Sequence, residues 1–338
     1  MIRKYWYKSI ALFLIIALTV IFIKSCHNLL PQQIHSSNVK QIASKCRIIN
    51  HELGESCIPL HPQRIIVTDQ ESLEVLVALG LKPIATTKAD RLGSKARILE
   101  GKIDGIINLG RESQPNIEKI VKLNPDLILG FLISPQNYKL FSQIAPTVSI
   151  NYTETGWKKI LQEIGEIVDK SQEVEKLLGQ YQQRIEKLRL AFAQKLGKPE
   201  ISVMRFPSEI KNTQFLNQLS FPVSILEELN LSIPFAQRQV SNSKVSYDNV
   251  SLERINLLDA DAMFIVIDPG SEGNFQKYKN NPLWQTLDVV RKDRVYTVDS
   301  GYWISGSILS ANAILDDLVR YLLEAPAKLS TSSQRATL

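Results

Sequence analysis

Short apolar runs alternate with helical spacing along most of the chain. Arg64–Thr68, Pro83–Thr86, Asp126–Gly130 and Thr147–Ile150 are strand-like, and Ser72–Leu79, Ile117–Leu123 and Tyr138–Ile144 between them repeat at helical steps. Strands alternating with helices predict an α/β unit with a largely parallel sheet. A different pattern follows: from Val174 to Leu196 the apolar residues recur every three or four positions. This predicts one amphipathic helix, started by Ser171 and stopped by Gly197-Lys198-Pro199. At 1.5 Å per residue it is about 39 Å long, enough to cross from one lobe to another. Beyond it the α/β rhythm resumes with Ile201–Phe206, Ile225–Leu229, Ala262–Ile267 and Arg294–Val298, and a closing helix is expected over Ile308–Leu323.

The two halves echo each other. Asn116-Ile-Glu118 opens a short helical run, and Asp126, eight places after the Glu, opens a strand; Ser251-Leu-Glu253 and Asp261 repeat that arrangement. A weaker echo pairs Arg64-Ile-Ile-Val-Thr-Asp69 with Arg294-Val-Tyr-Thr-Val-Asp299. The halves therefore read as two lobes of one construction. A carboxylate in a helix's first turn is favoured by the macrodipole at about 0.3–1 kcal/mol. Glu118 also lies beside the apolar face of Ile117, Ile120 and Val121 and is placed to project outward. Two such carboxylates at equivalent places would suit a twofold-symmetric partner carrying basic pockets.

The N-terminal stretch has its own logic. Arg3, Lys4 and Lys8 precede a fourteen-residue uncharged run, Ile10–Ile23, which has the length of a signal-peptide core and falls short of the roughly 20 residues a spanning helix needs. Residues 1–25 are expected to be a signal peptide. Ser25-Cys26 after that run resembles a lipoprotein signal, with Cys26 as the lipidated residue and membrane anchor; Lys24 departs from the pattern, and an uncleaved anchor is the alternative. With the four basic residues of this segment set aside, the net charge of +6 drops to +2, too little for the concentrated basic face that nucleic acid binding needs. At 44% hydrophobic and 22% charged residues, neither a disordered chain nor a multi-span membrane protein fits.

Export bears on the remaining cysteines. Cys46 and Cys57 form an even pair eleven positions apart, and an oxidising compartment suggests a disulfide that staples a hairpin of Arg47–Asn50 and Glu55–Ile58 about Gly54. Two free thiols, or a zinc site joined by His51 and His61, are the alternatives, although the spacing matches no zinc pattern.

Taken together, these features resemble the siderophore and vitamin B12 class of periplasmic binding proteins that feed ABC importers. Asn281-Pro-Leu-Trp284-Gln, Arg294-Val-Tyr and Tyr302-Trp303-Ile-Ser-Gly306 with Asp316-Asp-Leu are similar to the C-terminal stretch of ferric-hydroxamate and iron(III)-citrate binding proteins. Cys46-Arg47 through Cys57-Ile-Pro-Leu-His-Pro-Gln-Arg64 is similar to the start of cyanobacterial-type iron-siderophore receptors. The resemblance implies the class III fold: an N-terminal α/β lobe (46–170), an inter-lobe helix (171–196) and a C-terminal α/β lobe (197–325), flanked by a flexible linker (26–45) and a disordered tail (326–338). It also implies a ferric siderophore bound between the lobes, and Glu118 and Glu253 docked on arginines of a dimeric permease.

Ligands of open α/β sheets bind at the carboxyl ends of strands, which singles out the loops holding Asp69, Arg91, Arg111, Phe131, Arg205, Tyr302 and Trp303. Arginine forks suit chelating oxygens, and aromatic faces suit an organic shell. Arg111-Glu112-Ser113 departs from the small residues expected of that loop in relatives. All four His (His27, His35, His51, His61) precede the first helix, so bare metal is not expected to be held in the cleft, no resident cofactor is expected, and iron would arrive already chelated. No nucleophile elbow, phosphate loop or His-containing triad argues for an enzyme. Vitamin B12, haem or an envelope-sensor role stand as alternatives to a hydroxamate- or citrate-type ferric chelate. A monomer in the periplasm or cell envelope is expected.

Overall fold

The computed structural model describes residues 46–88, 96–151, 156–208, 213–240, 244–304 and 306–324. The expected signal peptide, Cys26, the linker, Arg91 and the C-terminal tail lie outside these residues. No helix among the described residues is long and apolar enough to cross a membrane.

The chain begins with a hairpin of β1 (Cys46–His51) and β2 (Gly54–Pro59), and Cys46 and Cys57 are disulfide-bonded. With both sulfurs in that bond, neither is left as a zinc ligand. Gly54, at φ 138°, makes the turn a backbone few other residues adopt. Behind it, the His51 Nδ1 accepts from Leu53 N at 3.3 Å, which leaves the proton on Nε2, facing Ser56 Oγ at 3.2 Å; Ser56 Oγ donates to Thr147 O at 2.6 Å. Burial pulls the imidazole below its ordinary value, and Glu52 pulls it partly back. A lowered base binds fewer protons folded than unfolded, so its contribution is complete above the unfolded value near 6.5 and is lost as pH falls through it. The melting temperature is therefore expected to drop between pH 7.5 and pH 5, and the drop should shrink in His51→Gln. An identical drop in the variant would clear His51 of the effect.

The first lobe is a six-stranded sheet in the order β6-β5-β4-β3-β7-β8, with β3 (Ile65–Val67), β4 (Ala85–Lys88), β5 (Ile107–Arg111), β7 (Leu127–Phe131) and β8 (Thr147–Ile150) parallel, and β6 (Gln114–Pro115) antiparallel. Strands such as Ile65-Ile66-Val67 are apolar on both faces because helices cover both. Helices α1 (Gln70–Ala78) and α4 (Gly156–Ile167) cover one face, and α2 (Ile117–Leu123) and α3 (Pro135–Phe141) the other.

The long stripe forms α5, Ser171–Leu196, with Val174, Tyr181, Ile185 and Phe192 buried. Ser171 is its first residue, and the preceding Lys170 at the cap position makes no side-chain cap. The second lobe is a five-stranded sheet in the order β11-β10-β9-β12-β13. Here β9 (Ile201–Phe206), β12 (Ala262–Ile267) and β13 (Val295–Asp299) are parallel, and β10 (Thr213–Leu216) runs antiparallel to β9 and to β11 (Tyr247–Val250). Ile225–Leu229, expected to continue the strand rhythm, instead falls largely in α6 (Phe221–Glu228), which starts at Ser220 with Pro222 in its first turn. The closing helix α7 runs Ile308–Leu318 and continues as a π-helix over Val319–Glu324.

The lobes share one core. Helix α7 packs on α1 and α4 of the first lobe and on α6 of the second, and a single apolar cluster runs from Leu73, Leu76 and Trp157 through Phe221 to Ile314. The Trp157 ring lies 5.1 Å from Tyr181 of α5 and 6.2 Å from Phe221 of α6. A carboxylate is built into this layer: Glu74 of α1 is fully buried and accepts from Ser310 Oγ at 2.6 Å and from Ser307 Oγ. Ser307 Oγ in turn accepts from Leu309 N and Ser310 N, so Glu74 reaches across to hold the start of α7.

Candidate functional site

The carboxyl end of β3 leads into α1 and that of β13 leads through the Ser300–Trp303 turn towards α7, and Glu74 in the middle of α1 ties that helix to the start of α7. In the first lobe the carboxyl edge of the sheet carries Asp69, Lys88, Arg111, Phe131 and Asn151; in the second it carries Arg205 and Asp268. This edge is where open α/β sheets bind ligands.

Asp69 is a structural link at that edge. It is the N-cap of α1, accepting from Ser72 N at 2.7 Å and Ser72 Oγ at 2.9 Å, and it also accepts from Phe131 N at 2.8 Å. Burial, with Glu71 nearby, pushes its carboxyl well up, and these three donors oppose the shift. Buried and with three donors from the protein, Asp69 shapes the edge from within. Gly130 completes this fit, since a Cβ there would stand 1.9 Å from Thr68 Oγ1. Next to it Phe131 is half-buried, and Leu132 holds a left-handed φ of 45° and is 58% exposed. Such a backbone costs about 1–3 kcal/mol in a non-glycine residue and clusters at functional edges. Arg111 ends β5, is exposed, and pairs in register with Lys88 and Gln114.

In the second lobe Arg205 is engaged by Asp268, its Nη2 donating at 2.6 Å and its Nε at 3.3 Å. Gln214 pairs with Arg205 in register across β10 and β9.

Tyr302 and Trp303 are not cleft residues. The turn Ser300–Trp303, capped by Asp299 accepting from Gly301 N at 2.7 Å, folds them into the core. There Tyr302 Oη and Trp303 Nε1 both donate to the buried Asp317, at 2.7 and 2.9 Å, and Trp303 stacks on Phe264 with centroids 4.8 Å apart. The carboxylate that decides their direction lies on α7, fourteen and fifteen positions away.

Glu118 and Glu253 are both exposed, each in the first turn of its element. Asn116 caps α2 by accepting from Lys119 N at 2.9 Å; the second module is a 3-10 helix, Leu252–Leu258, interrupted at Arg254. Hydrogen bonds from its own backbone N–H and from Ser251 lower the Glu253 carboxyl. The echoed aspartates have a structural duty. Asp126 accepts from Gln63 N and Arg64 N at 2.8 and 2.9 Å while its own N donates to Arg64 O; Asp261 accepts from Glu200 N at 2.9 Å and its N donates to Glu200 O. Each locks the entry of a central parallel strand, β3 or β9.

Similarity to known proteins agrees with this architecture. The chain is 29% identical to the "probable siderophore-binding lipoprotein YfiY" of Bacillus subtilis over 94% of its own length and 99% of the relative's. It is 32% identical to the achromobactin-binding periplasmic protein of Dickeya dadantii over 77% of its length and 86% of the relative's. The crystal structure of Staphylococcus aureus SirA complexed with staphyloferrin B superposes with a TM-score of 0.71 at 24% identity, covering 82% of this chain and 98% of that one. Residues 65–302, from β3 to the Ser300–Trp303 turn, match the model of the periplasmic binding protein family, and the chain belongs to that family.

Proposed function

We propose that the protein is an extracytoplasmic solute-binding protein that captures a ferric siderophore of hydroxamate or citrate type between its lobes and delivers it to an ABC importer. The observation that carries this reading is the similarity, over nearly the whole chain, to a siderophore-binding lipoprotein. In this reading Arg91, Arg111 and Arg205 donate to chelate oxygens, while Phe131 and the exposed Leu132 meet the organic shell. Asp69, Tyr302 and Trp303 support the edge from within. The protein works as a monomer, held at the membrane by lipid on Cys26, and Glu118 and Glu253 dock on basic pockets of a dimeric permease.

Intrinsic fluorescence tests the ligand class. Trp157, Trp284 and Trp303 are buried, and an absorbing ferric chelate bound at the edge should quench them. Ferric citrate, ferrioxamine B, haem and cobalamin form the panel. Saturable quenching by at least one ferric chelate at micromolar concentration or below is expected; saturation by haem or cobalamin alone would overturn the siderophore reading.

A further inference from the structure

Asp268 follows β12 at the carboxyl edge of the second sheet with its side chain 1% exposed, whereas the Arg205 side chain paired with it keeps 17%. The carboxylate takes the guanidinium side-on, through Nη2 and Nε, so the Nη1 edge is turned away from it. The surrounding backbone is pinned: Asp268 N donates to Phe206 O at 3.0 Å, Ser271 N donates to Asp268 O at 3.0 Å, and Ser271 Oγ donates to Pro207 O at 2.8 Å. The cation is therefore the outer member of a fixed pair whose charges cancel.

We propose that Asp268 is a positioning and charge-setting residue: it holds the Arg205 guanidinium in one plane and cancels its charge. The second lobe's half of the cleft then donates hydrogen bonds to chelate oxygens without selecting for negative charge. This rests on the ferric-chelate reading above. Selection for anionic ligands falls to the first lobe, where Lys88 and Arg111 end neighbouring strands.

Two chelates of opposite charge read this out: ferric citrate, an anion, and ferrioxamine B, a cation through its amine tail. Asp268→Asn unmasks the Arg205 charge, and Arg205→Gln leaves the Asp268 carboxylate alone. An uncompensated unit charge several ångströms from a ligand in a partly shielded site changes affinity by about tenfold or more. The ratio of affinities, ferric citrate over ferrioxamine B, is expected to rise about tenfold in Asp268→Asn and to fall in Arg205→Gln. If only one chelate binds, its affinity should move in opposite directions in the two variants. A ratio or affinity unchanged in both, or moved the same way in both, marks the pair as structural and overturns the proposal. Should Asp268→Asn not fold, the double variant Asp268→Asn with Arg205→Gln decides: a ratio within twofold of the parent's supports cancellation within the pair, and a ratio as low as that of Arg205→Gln overturns it. Wild-type protein that binds no ferric chelate overturns the ferric-chelate reading itself, and this inference with it.

Discussion

Iron uptake by cells carrying Glu118→Gln and Glu253→Gln together is expected to fall by tenfold or more, while the purified double variant binds its chelate within twofold of the parent. Both side chains are exposed on short helical elements, so the exchange removes charge and leaves shape. If the carboxylates only favour their helices, the loss is a fraction of the 0.3–1 kcal/mol that a macrodipole interaction supplies, and uptake is untouched. If they enter basic pockets of a permease, each buried pair that is broken costs about 2–5 kcal/mol. The single variants should then fall between parent and double variant, because each of the two modules would grip one of two equivalent subunits. Normal uptake by the double variant would end the docking proposal, whatever the likeness between the two modules.

Glu74→Ala should strongly destabilise the inter-lobe layer. The carboxylate is fully buried and accepts from two serine hydroxyls that also organise the first turn of α7. Removing it leaves those groups without their acceptor and opens a void between α1 and α7. Each buried hydroxyl left without its partner costs about 1–3 kcal/mol, so a total near 3 kcal/mol is expected. In a chain of 338 residues that lowers the melting temperature by about 4–5 °C. Glu74→Gln keeps the size and one acceptor oxygen and should lose less than half as much. Thermal unfolding followed by circular dichroism decides it, and an unchanged midpoint in Glu74→Ala would show that the contact contributes nothing net.

Where local pattern and burial coincide, the sequence is a good guide. The apolar stripe from Val174 to Leu196 is α5 because burial of one face is what its spacing encodes, and most parallel strands of both lobes stand out as apolar runs between helices; β5, Ile-Asn-Leu-Gly-Arg with only Leu109 buried, does not. The antiparallel pair Thr-Gln-Phe-Leu and Tyr-Asp-Asn-Val is short and half polar, so β10 and β11 carry too little pattern to be read. Ile225–Leu229 misleads in the opposite way, since a run of five apolar and acidic residues suits a strand or a helix equally. At the candidate site the limit is contact distance along the chain. Arg205 and Asp268 are 63 positions apart, and nothing near either one announces the other. Tyr302 and Trp303 follow a strand as cleft aromatics would, and only Asp317 turns them inward. Glu74 left one local trace, an acid set among Leu73, Val75 and Leu76.

The apolar layer shared by α1, α4, α6 and α7 has a thermodynamic consequence. Neither sheet can lose its covering helices without exposing the other's, so the two lobes behave as one cooperative unit in unfolding despite their separate sheets. A ligand that binds only the folded form then stabilises every residue of that unit by the same increment, set by its concentration relative to its dissociation constant. In an envelope that contains proteases, how long the protein survives and how often its cleft is filled become linked quantities.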